Sequence, residues 1–238
     1  MNPIAIIQAR TGSKRLPGKV ISRLSDHNVL TYVVKRCQQS KLLKNIIVAT
    51  SNKGRDDCIE DLSQKIGVKL YRGSEEDVLK RFAEAAKLFK ANPVIRICAD
   101  SPLIDPVIID ETIDIFINNT FDYVCNNNYP RGMSAEVFTN KALQYAYMNT
   151  SERENHYREH VTTYFVDSPN LFHLFFKEPP EYYKRKEDIR LCVDEQEDLD
   201  LARIIYKHFY PREDFTLKEI ISFLDQNPNI KSMNSHYK

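Results

Sequence analysis

Over the first half of the chain, short unbroken apolar runs alternate with stretches whose apolar residues return every three or four positions. Residues 4–7 (IAII) are rich in β-branched side chains and predict a buried parallel strand. Residues 10–19 are polar and basic, are punctuated by Gly12, Pro17 and Gly18, and predict a loop. Residues 29–37 predict a helix and 45–50 (NIIVAT) a second buried strand. Residues 56–66 predict a helix with Ile59, Leu62 and Ile66 on one face, followed by a short strand at 68–71. Val78, Leu79, Phe82, Ala83, Ala86 and Phe89 keep helical spacing, and 93–99 (PVIRICA) form a further buried strand with Asp100 at its carboxyl end. Asp105 before Pro106 marks a helix start, and that helix runs to about Phe116.

Strand and helix alternating in this way define an α/β protein with a mostly parallel, Rossmann-like sheet flanked by helices. Ligands of such sheets bind beyond the carboxyl ends of the strands. The loop 10–19 and Asp100 both lie at such ends, so two distant segments are expected to converge. From 126 to about 186 the alternation breaks, and Asn, Tyr, Pro and charged residues dominate. Here the pattern predicts a helix over 157–165 and a strand over 171–176. This excursion would carry a second-substrate site, a subunit contact, or both. Residues 189–193 are expected to return to the sheet, 195–209 and 216–224 to be helices, and the polar tail from 227 to fray. One domain spans 1–238: a first half (1–125), the excursion (126–186), a return to the core (187–226) and the tail (227–238).

The chain of 238 residues is long enough for such a domain, and 42% hydrophobic with 28% charged residues is ordinary for a soluble protein. A net charge of +1 gives no field that would favour nucleic acid or a membrane surface. Residues 4–9 are too short for the apolar core of a signal peptide and run straight into Arg10. No run is long enough to span a bilayer. Cys37, Cys58, Cys98, Cys125 and Cys192 form no CxxC pair and read as reduced structural thiols, which places the protein in the cytoplasm.

The loop changes this picture most. Arg10, Lys14, Arg15 and Lys19 lie within ten positions, with no acid before Asp26. Gly12 and Gly18 permit close backbone approach, so the loop can wrap a triphosphate with amides and cations. The plainer reading is a solvated basic loop; its place after the first buried strand favours the phosphate reading. It is not a Walker A loop, because five residues separate Gly12 from Gly18 and Val20 follows Lys19 where Ser or Thr would hold magnesium. Asp100 offers a hard cation a carboxylate, or it caps the next helix, a role Asp105 already fills.

Residues 6–19, IIQARTGSKRLPGK, resemble the nucleotide-binding loop of the cytidylyltransferases that activate acidic sugars, such as the CMP-Kdo and CMP-sialic acid synthetases. The resemblance is strongest to the branch named after spore coat polysaccharide biosynthesis protein F. It implies the nucleotide-diphospho-sugar transferase type of fold, with 1–125 as the nucleotide-binding half. It also implies that Ala9, Arg10, Gly12, Ser13, Lys14 and Lys19 contact CTP, with Lys19 or Arg10 stabilising charge at the reacting phosphorus. Residues 72–79 (RGSEEDVL) are similar to the branch's segment after its third strand, which puts Arg72 and Asp77 on the nucleotide side, Arg72 at the cytosine. Residues 96–104 and 191–199 resemble the elements whose aspartates hold Mg²⁺, here Asp100 and Asp194, although Glu195 and Gln196 stand where the branch often has Thr-Pro. The acidic run after 194 equally suits a helix's first turn. Residues 129–138 resemble the acceptor element, with Arg131 and Glu136 matched and Ser134 where Asp is usual. Arg158 and His160 lie in a similar Arg-Glu-His-Val-Thr segment and would bind an acidic acceptor.

The resemblance thus implies CMP transfer from CTP to an acidic sugar or related small metabolite, with Arg10, Lys14, Lys19 and Asp100 as the catalytic set. It also implies Mg²⁺ as cofactor, pyrophosphate release, a homodimer, and a place in surface polysaccharide synthesis. Three other readings stay open. A glycosyltransferase of related fold would use a ready nucleotide sugar, but usually shows Asp-x-Asp where this chain has Asp100-Ser101-Pro102. A glucose-1-phosphate type of nucleotidyltransferase has a more glycine-rich loop. A non-catalytic nucleotide-binding subunit would fit Ser134 and fits the intact loop less well.

Overall fold

The computed structural model describes residues 1–126, 128–184 and 189–236. In chain order the elements are β1 (Ile4–Gln8), α1 (Val29–Gln38), β2 (Asn45–Ser51), α2 (Asp57–Lys65), β3 (Lys69–Gly73), α3 (Val78–Leu88), β4 (Val94–Cys98) and α4 (Pro106–Ile117). Then follow β5 (Tyr123–Cys125), β6 (Glu136–Phe138), α5 (Asn140–Asn149), α6 (Asn155–Glu159), α7 (Thr163–Asp167), β7 (Leu174–Phe176) and α8 (Glu181–Lys184). The chain closes with α9 (Gln196–Phe209), α10 (Leu217–Gln226) and α11 (Pro228–Lys231).

The strands form one sheet in the order β3-β2-β1-β4-β6-β5-β7. β1 is parallel to β2 and β4, β2 to β3, and β5 to β7, whereas β6 runs antiparallel to both β4 and β5. The apolar run of β1 follows from its place: Ile4, Ala5, Ile6 and Ile7 are buried because helices cover both sheet faces. α3, α5 and α7 pack on one face with Ile4, Ile6 and Phe138. α1, α2 and α4 pack on the other with Ala5, Ile7 and Ile97. From β1 the chain moves outward through β2 and β3, then crosses back to β4 on β1's other side. The crevice between β1 and β4 is therefore the switch point at which such sheets bind ligands.

The first half matches the pattern reading, and Asp105 caps α4 by accepting from the Val107 amide at 2.9 Å. The second half departs from it in four places. Residues 189–193 do not rejoin the sheet; only Arg190 makes an isolated bridge, to Arg131. Ile189, Leu191 and Val193 are apolar because they enter a third core cluster with α9 and α10. The helix expected over 157–165 is two short ones, interrupted at His160, whose φ of −110° and ψ of 93° are extended. The strand expected over 171–176 is confined to Leu174–Phe176. The tail does not simply fray: Asn234 is buried and donates to the Arg190 carbonyl (3.0 Å) and to Asp198 (2.7 Å). The boundary set at 186/187 lies outside the described residues.

Candidate active site

The first loop is folded back on itself by Thr11. Its carbonyl accepts from the amides of Ser13 (2.9 Å) and Gly18 (3.0 Å), and Gly18 has φ 71°, in the left-handed region that glycine enters without strain. Thr11 is in turn anchored by Asp56, at the start of α2: its amide and hydroxyl donate to one carboxylate oxygen at 2.8 and 2.6 Å. Burial opposes the charge on Asp56, but hydrogen bonds from Ser51 and Thr11 outweigh it and hold the carboxyl below the ordinary range. The loop's shape is thus set from the end of β2.

The floor of the crevice is a three-group cluster. Lys19 is buried, and its ammonium lies 2.6 Å from Asp100, beyond β4, and 2.7 Å from Asp194, before α9. Burial disfavours the ammonium, but the two carboxylates overcome it, so the Lys19 pKa is raised. Burial likewise opposes the Asp194 charge, and Lys19, then Arg15 and Arg190, hold that carboxyl below its usual value. Arg15 reaches Asp194 at 2.9 Å and Arg190 reaches it at 3.2 Å. Asp194 is positioned by Asp198, whose buried carboxylate accepts from the amides of Asp194 (2.9 Å) and Glu195 (2.8 Å). Glu195 and Asp198 form the capping box of α9, so the acidic run starts the helix and also presents Asp194 to the crevice.

Above this floor opens a basin of about 860 Å³, lined by Arg10, Gly12, Ser13, Lys14, Arg15 and Lys19 of the first loop and by Asp100, Asp194, Glu159 and His160. The structure therefore brings together most of the residues expected from the sequence. Ala9 lines a recess beside the basin. Asp77 caps α3 through the Lys80 amide (2.8 Å) and pairs at 3.1 Å with buried Arg158, so a residue expected on the nucleotide side is tied to one expected on the acceptor side. Both line a hollow that shares Arg10 and Glu159 with the basin.

Three expected residues are placed elsewhere. Arg72 points away, held by Asp57 and Glu60 at 2.7 Å and by the carbonyls of Ser51 and Lys53, because β3 presents it to α2. Glu136 is buried within the sheet, accepting from Tyr123 (2.7 Å), Thr162 (2.6 Å) and Arg96, which leaves it internal support and no open acceptor contact. Arg131 is exposed, and its carbonyl accepts from the Leu191 amide at 2.7 Å. The residue after it is the structural point of that segment. Gly132 has φ 96°, and a Cβ there would lie 2.6 Å from the Cys192 amide nitrogen and the Leu191 carbonyl carbon. Ser134 is exposed, and Asn126 holds the chain on both sides of it, bonding Met133 and Ala135.

Sequence reasoning missed Asp56, Arg55, Arg81 and Arg96, and it read Asp198 only as a residue of the helix's first turn. Each is a charged residue within or beside an apolar pattern, a signal that goes unread unless its partner is known. Arg55 illustrates the difficulty: it sits over Gly12 and pairs with Glu75, across twenty positions of chain.

A mostly parallel sheet with a cationic loop after its first strand, and two carboxylates meeting at the switch point of the same crevice, fits the nucleotidyltransferase class of α/β enzymes. Within that class the chain belongs to the cytidylyltransferase family, whose sequence profile matches residues 4–223. It is 45% identical over its full length to the uncharacterized protein MJ1063 of Methanocaldococcus jannaschii, covering 96% of that protein. It is 37% identical to the spore coat polysaccharide biosynthesis protein SpsF of Bacillus subtilis, over 96% of this chain and 97% of that one. The solved structure of a cytidylyltransferase from Leptospira borgpetersenii superposes with a TM-score of 0.90 at 30% identity, covering 97% of each chain. Among the described residues no helix is long and apolar enough to cross a membrane.

Proposed function

We propose that the chain transfers CMP from CTP to an acidic sugar or similar small acceptor, for polysaccharide synthesis. The acceptor oxygen attacks the α-phosphorus in line; its bond to phosphorus forms as the bond to the α–β bridging oxygen breaks, pyrophosphate leaves with that electron pair, and the proton of a hydroxyl acceptor passes to solvent. The observation that carries this reading is the meeting of Lys19, Asp100 and Asp194 beneath a loop of amides and cations. The loop would hold the triphosphate, and Arg10, Lys14 and Lys19 would balance the charge that grows on pyrophosphate.

The two carboxylates suit magnesium as a cofactor. Their oxygens already converge on one cation, the Lys19 ammonium, and among the described residues no group of three or more His, Cys, Asp or Glu forms a closed cage. Magnesium characteristically takes one or two carboxylates and completes its shell with phosphate oxygens and water. Held by Asp100 and Asp194, it would supply charge stabilisation to the phosphate oxygens. Lys19 must then turn from the carboxylates toward the phosphates.

A homodimer formed through the excursion in a cytoplasmic enzyme completes the reading. β7 is one of the sheet's two edge strands, its Phe175 and Phe176 are exposed, and Val166 and Leu171 are exposed in the segment that precedes it.

The test is pyrophosphate release with Mg²⁺, offering CTP, UTP, GTP and ATP in turn against keto-sugar acids and sugar phosphates. Release with CTP and one acceptor is expected. Release with another nucleotide would overturn the base assignment, and no release with any pair would overturn the reaction.

A further inference from the structure

Beside the basin, against the sheet face covered by α3, lies a recess of about 140 Å³. Arg10, Arg81, Arg96 and His160 line it, and Glu159 is its one carboxylate. The three arginines are not alike. Arg96 is answered by Glu136 and donates to Gln8 at 3.1 Å. Arg10 reaches Glu159 at 3.7 Å, with both side chains half exposed. Arg81 is 2% exposed, donates from Nη1 to the carbonyls of Ser74 and Glu75, and has no ion-pair partner among the described residues. Its Nε is buried without any hydrogen-bond partner.

A buried guanidinium with an open Nε donor is costly even with the carboxylates of Asp56, Glu75 and Asp77 near enough to favour its charge, so its retention calls for an explanation. Burial, reinforced by the nearby Arg10 charge, pushes the Arg81 pKa down to about 10, still far enough above neutrality to keep it cationic. The recess has room for one compact group. It shares Gln8, Arg10, Glu159 and His160 with the basin, so a molecule in the basin can extend a single group into it.

We propose that this recess seats the anionic group of the acceptor, a carboxylate or a phosphate, with Arg81 as its specificity-determining donor. The inference rests on the basin being the site of CMP transfer. It assigns a role to Arg81, which lies in the middle of an apolar helix pattern. Gln8 and Glu136 bond Arg96, which lines the same recess.

The test uses the full chain saturated with Mg²⁺ and a non-transferable methylene analogue of CTP, so that the first loop is filled. Pyruvate and inorganic phosphate are then titrated calorimetrically into wild type, Arg81→Met and Arg81→Lys. One of the two anions should bind wild type, weaken by about tenfold or more in R81M, and fall between them in R81K, since lysine keeps the charge and loses the fork. Preference for pyruvate names a keto-acid acceptor, and preference for phosphate a sugar phosphate. Analogue affinity should stay within about twofold in both variants, because the loop contacts are untouched. If neither anion binds wild type, or both variants bind it as wild type does, the proposal is wrong. Should R81M fail to fold, R81K decides alone: weakened anion binding supports the recess and unchanged binding overturns it. If wild type refuses the analogue, the transfer reading fails separately, and the anion titration is repeated on the free protein. Weaker binding in R81K than in wild type then still supports the recess, and equal binding in R81K and wild type overturns it.

Discussion

Lys19 is the residue on which the site turns. It holds two carboxylates together; if magnesium binds there as proposed, the lysine and the metal would compete for one place. Lys19→Met should therefore raise Mn²⁺ affinity in the absence of nucleotide, read by electron paramagnetic resonance; unchanged or weaker binding would count against the shared position. Asp100→Asn should lower kcat by about a hundredfold or more while the KM for CTP changes little, the signature of lost transition-state stabilisation. Asp56 acts one step back, through Thr11. Its carboxyl is held below the ordinary 3.8, so its contribution is fully present above that value and is lost as pH falls through the lower folded-state value. Thermal unfolding of wild type and Asp56→Asn across acid pH should show an advantage that is constant near neutrality and disappears only in strong acid. A gap that already closes near pH 6 would refute the anchor.

At the scale of elements, the parallel half was legible because a strand buried on both faces writes an unbroken apolar run, as at Ile4–Ile7. The loop and Asp100 could be placed from that alone. The rest was hidden for physical reasons. Glu136 opens β6 with a charge whose partner, Arg96, lies forty residues away. Residues 189–193 carry the composition of a sheet strand yet serve a separate core cluster. Arg72 was matched by motif, and a motif does not show its bonds to Asp57 and Glu60. The 189–194 segment is held by the close approach of Gly132, which gives a sharp test. Gly132→Ala should cost about 1–3 kcal/mol from backbone strain alone, with overlap against Leu191 and Cys192 added. Because that overlap shifts the segment leading to Asp194, turnover should fall further than nucleotide affinity at the first loop. Equal stability and kinetics in the variant would remove Gly132 from the account.

For the whole molecule, sheet topology does most of the positioning. β1 and β4 are neighbours although about ninety residues apart in sequence, and their carboxyl ends carry the loop and the first carboxylate. α9 brings the second carboxylate from the far end of the chain, and the tail secures it through Asn234. Removal of residues 232–238 should therefore reduce turnover as well as stability. The exposed apolar residues near β7 make a prediction at the same scale: Val166→Glu with Leu171→Glu should convert a dimer to a monomer in light scattering. A wild type that is monomeric at all concentrations would contradict it.

The central claim is attack at the α-phosphorus of CTP, and CTP labelled at that phosphorus tests it most directly. With Mg²⁺ and a competent acceptor, the label should pass wholly into the acceptor conjugate while the pyrophosphate stays unlabelled, and Asp100→Asn should nearly abolish the transfer. Label remaining in CDP or unreacted CTP while the acceptor is modified, or label appearing as free CMP with no conjugate, would contradict the account.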